Sequence, residues 1–333
     1  MRAVLSLIAV VLLVLIAMVG VGTVGLTYLF GIIIPYLAVA VFIAGFVYRV
    51  IKWAQSPVPF RIPTTCGQQK TLPWIKNSTL ESPHSTWGVI GRMALEVLFF
   101  RSLFRNTKVE LKDGPKLAYG PTKYLWLGGL AFHWSFLVVF IRHFKFFAEP
   151  VPGFVTMLQD LDGFFQVGLP IIYITDIVIL VAVSFLVLRR LFDPKVRYIS
   201  LAADYFPLFL ILGIIVSGGW MRYFTKTDIV SVKELAMGLI SFNPVGSAVL
   251  SEIGVSFYVH LFLVSILFLY FPFSKLMHLG GVFLSPTRNL ANNNRAKRHI
   301  NPWDYPVKVH TYEEWEDEFR DVMKAADMPL EKE

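Results

Sequence analysis

The length of its apolar runs is what most constrains this chain. Six stretches, about 3–24, 26–50, 124–147, 166–189, 201–222 and 254–276, are long and apolar enough to be membrane spans. A helix needs about 20 such residues to cross a hydrocarbon core about 30 Å thick. In lipid a single run can satisfy its backbone only as a helix, so the expected fold is an all-α membrane protein, a six-helix transmembrane bundle. Composition agrees, with 55% hydrophobic and 16% charged residues where a soluble domain has about 45–50% and a quarter. That balance excludes a disordered chain, a nucleic-acid-binding domain and a disulfide-rich scaffold. The single cysteine, Cys66, rules out an intrachain disulfide, a four-cysteine zinc site and an iron–sulfur cluster. C-x-x-C-H is missing from the sequence, so c-type haem attachment is excluded too.

Basic residues set the expected orientation. The net charge is +8, and 26 of the 31 Lys and Arg fall on one side of the six spans. Only Arg142, Lys145, Arg222, Lys226 and Lys233 fall on the other. By the positive-inside rule both termini are expected in the cytoplasm, with the chain in the cytoplasmic (inner) membrane. A second span follows the first almost at once, so the first is expected to be a retained helix rather than a cleaved signal.

Four regions follow: two N-terminal spans (1–50), a cytoplasmic loop (51–123), four further spans (124–276) and a cytoplasmic tail (277–333). Within the loop, 87–104 alternates apolar residues with Arg92, Glu96 and Arg101, as an interfacial helix does. In the tail, 311–314 (TYEE) has the form of a capping box. Behind it Trp315, Phe319, Val322 and Ala326 make a helical stripe beside Glu316, Asp317, Glu318 and Asp321. The acidic face reads as solvated or as a docking surface for a cytoplasmic partner.

Four of the seven histidines belong to two spans. His133 and His143 lie on the third, and His260 on the sixth with His278 at its cytoplasmic end. Ionisable groups are costly in lipid and point to function, although a single membrane histidine is often only a satisfied hydrogen-bonding group. At about 100° per residue, His260 and His278 face the same way about 27 Å apart, while His133 and His143 share a broad face about 15 Å apart. Because the two spans run antiparallel, His143 meets His260 towards the outer leaflet and His133 meets His278 towards the cytoplasm. Each pair can clamp one flat macrocycle. Zinc or a di-iron centre would need carboxylate or thiolate neighbours, which these histidines lack in sequence. The reading is two b-type haems, with core histidines as the alternative. For His278 to reach its partner, its helix must continue past Pro272, where a kink is expected.

Other polar residues admit two readings. Asp176 is either a hydrogen-bonded carboxylate in the bundle or a proton-relay or quinone-site group. Arg142 and Lys145 either pair with haem propionates or snorkel to the interface. Cys66 has no assigned role, and His84, His299 and His310 read as surface residues.

H-x9-H on one span and H-x17-H beginning on a later one is similar to the nitrate reductase gamma-subunit (NarI-like) family of di-haem cytochromes b, over about 120–280. That resemblance implies an outer haem on His143 and His260, an inner haem on His133 and His278, and electron transfer between a quinone and a cytoplasmic iron–sulfur partner. The stretches 56–70 (SPVPFRIPTTCGQQK) and 301–306 (NPWDYP) resemble the DsrM branch, the cytochrome subunits of sulfite-reduction-associated DsrMKJOP complexes. This implies menaquinone as substrate, a DsrK-like iron–sulfur subunit as partner, and a place in dissimilatory sulfite or sulfate reduction. A nitrate or heterodisulfide reductase cytochrome b is the related alternative. A haem-free transporter or scaffold is the unrelated one.

Overall fold

The computed structural model describes residues 1–56, 67–163, 171–296, 306 and 308–332. Among these, five helices are long and apolar enough to cross a membrane: Arg2–Gly22, Leu29–Ala54, Lys123–Phe146, Ala202–Thr225 and Val255–Phe273. The chain is a multi-pass membrane protein.

In chain order, α1 is Arg2–Gly22, and α2 is Ile34–Ala54, entered through a π-helical turn. An elbow of α3 (Thr86–Phe99) and α4 (Arg101–Arg105) comes next. A hairpin of β1 (Thr107–Lys112) and β2 (Lys116–Pro121) leads into α5 (Lys123–His143). Then come α6 (Gly153–Asp162), α7 (Ile174–Phe192), α8 (Pro194–Ile199) and α9 (Ala202–Trp220). Two short helices, α10 (Ile229–Ile240) and α11 (Ser247–Glu252), lead to α12 (Val255–Tyr270). The tail holds α13 (His278–Gly281), α14 (Pro286–Asn289) and α15 (Tyr312–Ala325).

The apolar helices sort their faces as lipid demands. On α1 the buried residues are Ser6, Val10, Ala17, Gly20 and Val21. These are mostly small and recur at helical spacing, whereas Leu5, Leu12 and Ile16 stay exposed. Small inward residues permit close helix approach where hydrophobicity alone gives no inward drive. α1 packs on α9 and α12, α2 on α12, and α7 lies between α5 and α9. Leu210, Leu235, Leu250, Tyr258 and Leu263 are fully buried at the centre. Tyr258 donates its hydroxyl to the Leu250 carbonyl at 2.6 Å.

Several expectations change. Of the expected fourth span, 166–170 lie outside the described residues and 171–173 are not helical. α7 starts at Ile174 and carries Asp176 near one end and Arg189 and Arg190 near the other. The interfacial helix is broken at Phe100, whose φ of 50° turns α3 into α4. The chain is not wholly helical, because the Asp113-Gly114 turn, with Gly114 at φ 81°, closes the β1–β2 hairpin. The span to His278 is interrupted rather than kinked. α12 stops at Tyr270, and 3-10 turns Phe271–Phe273 and Lys275–Met277 flank an extended Ser274. Proline supplies no N–H to continue the ladder, and Pro272 is buried against Gly45, where a side chain would lie 2.6 Å from the proline ring.

In the tail the capping box forms as expected between Thr311 and Glu314. The stripe behind it is outward, however, with Trp315, Phe319 and Val322 exposed. Glu316 is buried instead, accepting the N–H groups of Glu331 and Lys332 as the chain end folds back.

α14 is clasped to α3 by the Arg288–Glu96 ion pair, and Glu96 also accepts the N–H (2.9 Å) and hydroxyl (2.6 Å) of Ser102. Burial by itself would raise the Glu96 carboxyl, but the Ser102 hydrogen bonds and the Arg288 charge outweigh it and hold it below the usual range. A depressed carboxyl stabilises the folded state above its ordinary pKa, and that contribution is lost as pH falls through the lowered value. Hydrogen exchange across 286–296, corrected for intrinsic rate, is therefore expected to stay slow at neutral pH and to speed up only below about pH 4. Glu96→Gln should loosen the same segment at pH 7 by about 1–3 kcal/mol, and equal exchange in variant and parent would contradict the clasp.

Candidate functional site

α5 and α12 are not packed directly against each other; α7 and α9 stand between them on one side of the bundle. The four histidines meet across that separation in two couples. His143 and His260 have ring centres 6.4 Å apart with planes at 10°. His133 and His278 have ring centres 5.9 Å apart with planes at 80°. Ten residues along α5 place the couples about 15 Å apart in depth. Although α12 is interrupted, the two 3-10 turns still bring His278 opposite His133.

Each imidazole is tied at the same nitrogen. His133 Nδ1 lies 2.7 Å from the Gly129 carbonyl and His143 Nδ1 lies 2.6 Å from that of Val139. His278 Nδ1 lies 2.9 Å from the Lys275 carbonyl, and His260 Nδ1 lies 3.1 Å from that of Ile214 on α9. A carbonyl only accepts, so each Nδ1 carries the hydrogen and each Nε2 keeps its lone pair. Such a bond fixes tautomer and orientation in metal-binding histidines. His133, His143 and His278 are exposed and His260 is half-buried.

This arrangement fits a flat macrocycle between each couple. Two metal–nitrogen bonds of about 2 Å each, plus about 1.1 Å from each nitrogen to its ring centre, put the centres roughly 6 Å apart. Both observed separations match. The surroundings are aromatic: Phe100 and Phe132 lie edge-on to His133 at 4.9 and 5.0 Å, and Phe146 lies 6.1 Å from His143.

A polar cluster adjoins the His143–His260 couple. Arg142 is buried and forms ion pairs with Asp162 (2.8 Å) and Asp176. The Asp162 contact lies outside hydrogen-bond geometry, so Arg142 Nη1 and Nε are buried without hydrogen-bond partners. Asp162 accepts both the N–H and the hydroxyl of Thr175, at 2.9 and 2.6 Å, and Asp176 accepts the Tyr223 hydroxyl at 3.0 Å. The Tyr173 ring has the Arg142 guanidinium 3.8 Å and the Arg222 guanidinium 4.3 Å from its centre. Lys145 donates to Gln159 Oε1 at 3.2 Å. The structure thus gives Arg142 two carboxylate partners and Lys145 an amide. Asp162, Tyr173, Arg222 and Tyr223 were not singled out from sequence, where the only signal was their charge or hydroxyl at the edge of an apolar run. Cys66 and His299 lie outside the described residues, as do 57–66 and 301–305 of the two stretches that resemble the DsrM branch.

The profile of the nitrate reductase gamma subunit family matches residues 86–297. The chain is 50% identical over 281 residues to an Hdr-like menaquinol oxidoreductase cytochrome b-like subunit of Archaeoglobus fulgidus, covering 83% of each chain. It is 42% identical over 275 residues to the protein of the same description in Archaeoglobus profundus, covering 81% of each. A shorter match, 31% over 99 residues, covers 28% of this chain and 44% of the respiratory nitrate reductase 1 gamma chain of Escherichia coli.

Removing one member of a buried ion pair leaves an uncompensated charge, at a cost of about 3–5 kcal/mol. Arg142→Leu is expected to lower the melting temperature of the solubilised protein markedly. Adding Asp162→Asn and Asp176→Asn to that variant should recover most of the loss. Additive losses across the three substitutions would show that these groups do not act as one network.

Proposed function

The chain belongs to the nitrate reductase gamma-subunit family, and on that premise we propose that it is the membrane cytochrome b subunit of a menaquinol oxidoreductase complex of the Hdr-like kind. The family is one of b-type cytochromes, so a haem is implied. The observation that carries the reading is the pairing of four imidazoles with every Nδ1 tied to an oxygen and every Nε2 left for a ligand bond. His143 with His260 would hold one haem b and His133 with His278 a second. Held between two such imidazoles, a haem would supply reversible one-electron transfer rather than oxygen or substrate activation.

In this reading the protein's own groups orient and shield. α7 and α9 set the α5–α12 separation and α7 is a sixth span, while the phenylalanines beside His133 and His143 exclude water. Arg142 is held by two carboxylates, so its contribution to a propionate would come through its unpartnered Nε, and Lys145 is the freer cation. Any role of Asp176 with protons or quinone runs through Tyr223, whose hydroxyl donates to it. The electron acceptor would be a cytoplasmic iron–sulfur subunit, DsrK-like and so similar to heterodisulfide reductase catalytic subunits. The exposed aromatic ridge of α15 suits such a partner. The likeness of 56–70 and 301–306 to the DsrM branch supports a place in sulfite or sulfate reduction. A subunit of a nitrate or heterodisulfide reductase would be told apart by the soluble protein that co-purifies.

A reduced-minus-oxidised spectrum of the purified chain is expected to show b-type bands equivalent to two haems. His143→Ala or His260→Ala should remove one haem, His133→Ala or His278→Ala the other, and menaquinol should reduce what remains bound. A colourless protein, as a haem-free transporter or scaffold requires, would overturn the reading. Loss of the same haem from all four single variants would overturn the pairing.

A further inference from the structure

The four histidines are not held alike. His133, His143 and His278 give Nδ1–H to carbonyls three or four residues earlier in their own segment. His260 alone is held by another helix, α9. Its Nδ1 lies 3.1 Å from the Ile214 carbonyl and 3.0 Å from Ser217 Oγ. Ser217 spends its own hydrogen on the Ile214 carbonyl at 3.0 Å, so towards His260 its oxygen accepts. The next residue, Gly218, gives the ring room, because a side chain there would lie 3.1 Å from His260 Cε1. Ile214, Ser217 and Gly218 share one face of α9, and together they set both the position and the plane of this imidazole.

Resting on the di-haem reading above, we propose that Ser217 is a positioning residue that fixes the plane of His260 and makes the haem of the His143–His260 couple electronically distinct. Two effects follow from the geometry. A second oxygen accepting from Nδ1–H makes the imidazole a stronger donor to a metal, which favours the oxidised state. The ring planes then decide how the two ligands share the iron d orbitals. Parallel rings, as at 10° for this couple, split the two π-symmetry orbitals strongly, whereas crossed rings, as at 80° for His133–His278, leave them nearly degenerate. One haem should therefore give a rhombic low-spin EPR signal and the other a highly anisotropic one.

The test is EPR and potentiometric titration of the oxidised full-length chain, with Ser217→Ala, Ser217→Thr and Gly218→Ala beside the parent. The parent is expected to show both signal types. Ser217→Ala should shift the midpoint of the rhombic haem to more positive potential and widen its g-spread, leaving the other haem unmoved. Ser217→Thr, which keeps the hydroxyl, should restore both properties. Gly218→Ala keeps Ser217 but crowds the ring, and should disturb the same haem alone. Unchanged signals and potentials in Ser217→Ala, or equal shifts in both haems, would overturn the role of Ser217. A parent with no b-type haem would instead sink the di-haem reading itself.

Discussion

A neutral imidazole inside a membrane has two nitrogens to satisfy, and leaving either bare in an apolar interior is costly. In this protein a backbone carbonyl takes Nδ1 of every one of the four, which leaves the four Nε2 lone pairs without that partner. The helices that pack closely, α1 with α9 and α12, and α7 with α5 and α9, build a frame in which α5 and α12 stay apart. The separation matches what two metal–nitrogen bonds need, so the frame and the site are one structural problem.

The two ends of the site differ in construction. At the His143–His260 end the protein places a dense polar cluster, with Arg142 between Asp162 and Asp176 and Tyr173 between two guanidiniums. At the His133–His278 end it places aromatic edges and a broken helix whose turns are pinned by the contact of Pro272 with Gly45. The rings are parallel at the first end, where His260 is braced from a neighbouring helix, and crossed at the second, where both histidines are held from their own segments.

Much of this was legible in the sequence. Five of the six apolar runs correspond to helices long enough to span a membrane, and the histidine spacing led to the same couples whose rings lie 5.9 and 6.4 Å apart. The route to the His278 pairing was not legible, because it assumed a helix continuous past Pro272, and the chain reaches the same place through two 3-10 turns. Asp113-Gly114 was a readable turn signal, and the region expected only as loop carries a hairpin there. The partners of Arg142 were out of reach of the sequence, since they depend on how α6 and α7 dock beside α5. The buried Glu316 escaped for a similar reason, because the chain end that covers it lies fifteen and sixteen residues away.

The central claim is that two flat iron macrocycles lie between α5 and α12, each gripped by one histidine from either side. A cryo-EM map of the protein isolated from native membranes tests it most directly. The account predicts planar density between His143 and His260 and again between His133 and His278, with metal density within bonding distance of each Nε2. Continuous side-chain packing across those positions, or a macrocycle ligated by any other residue, would contradict it.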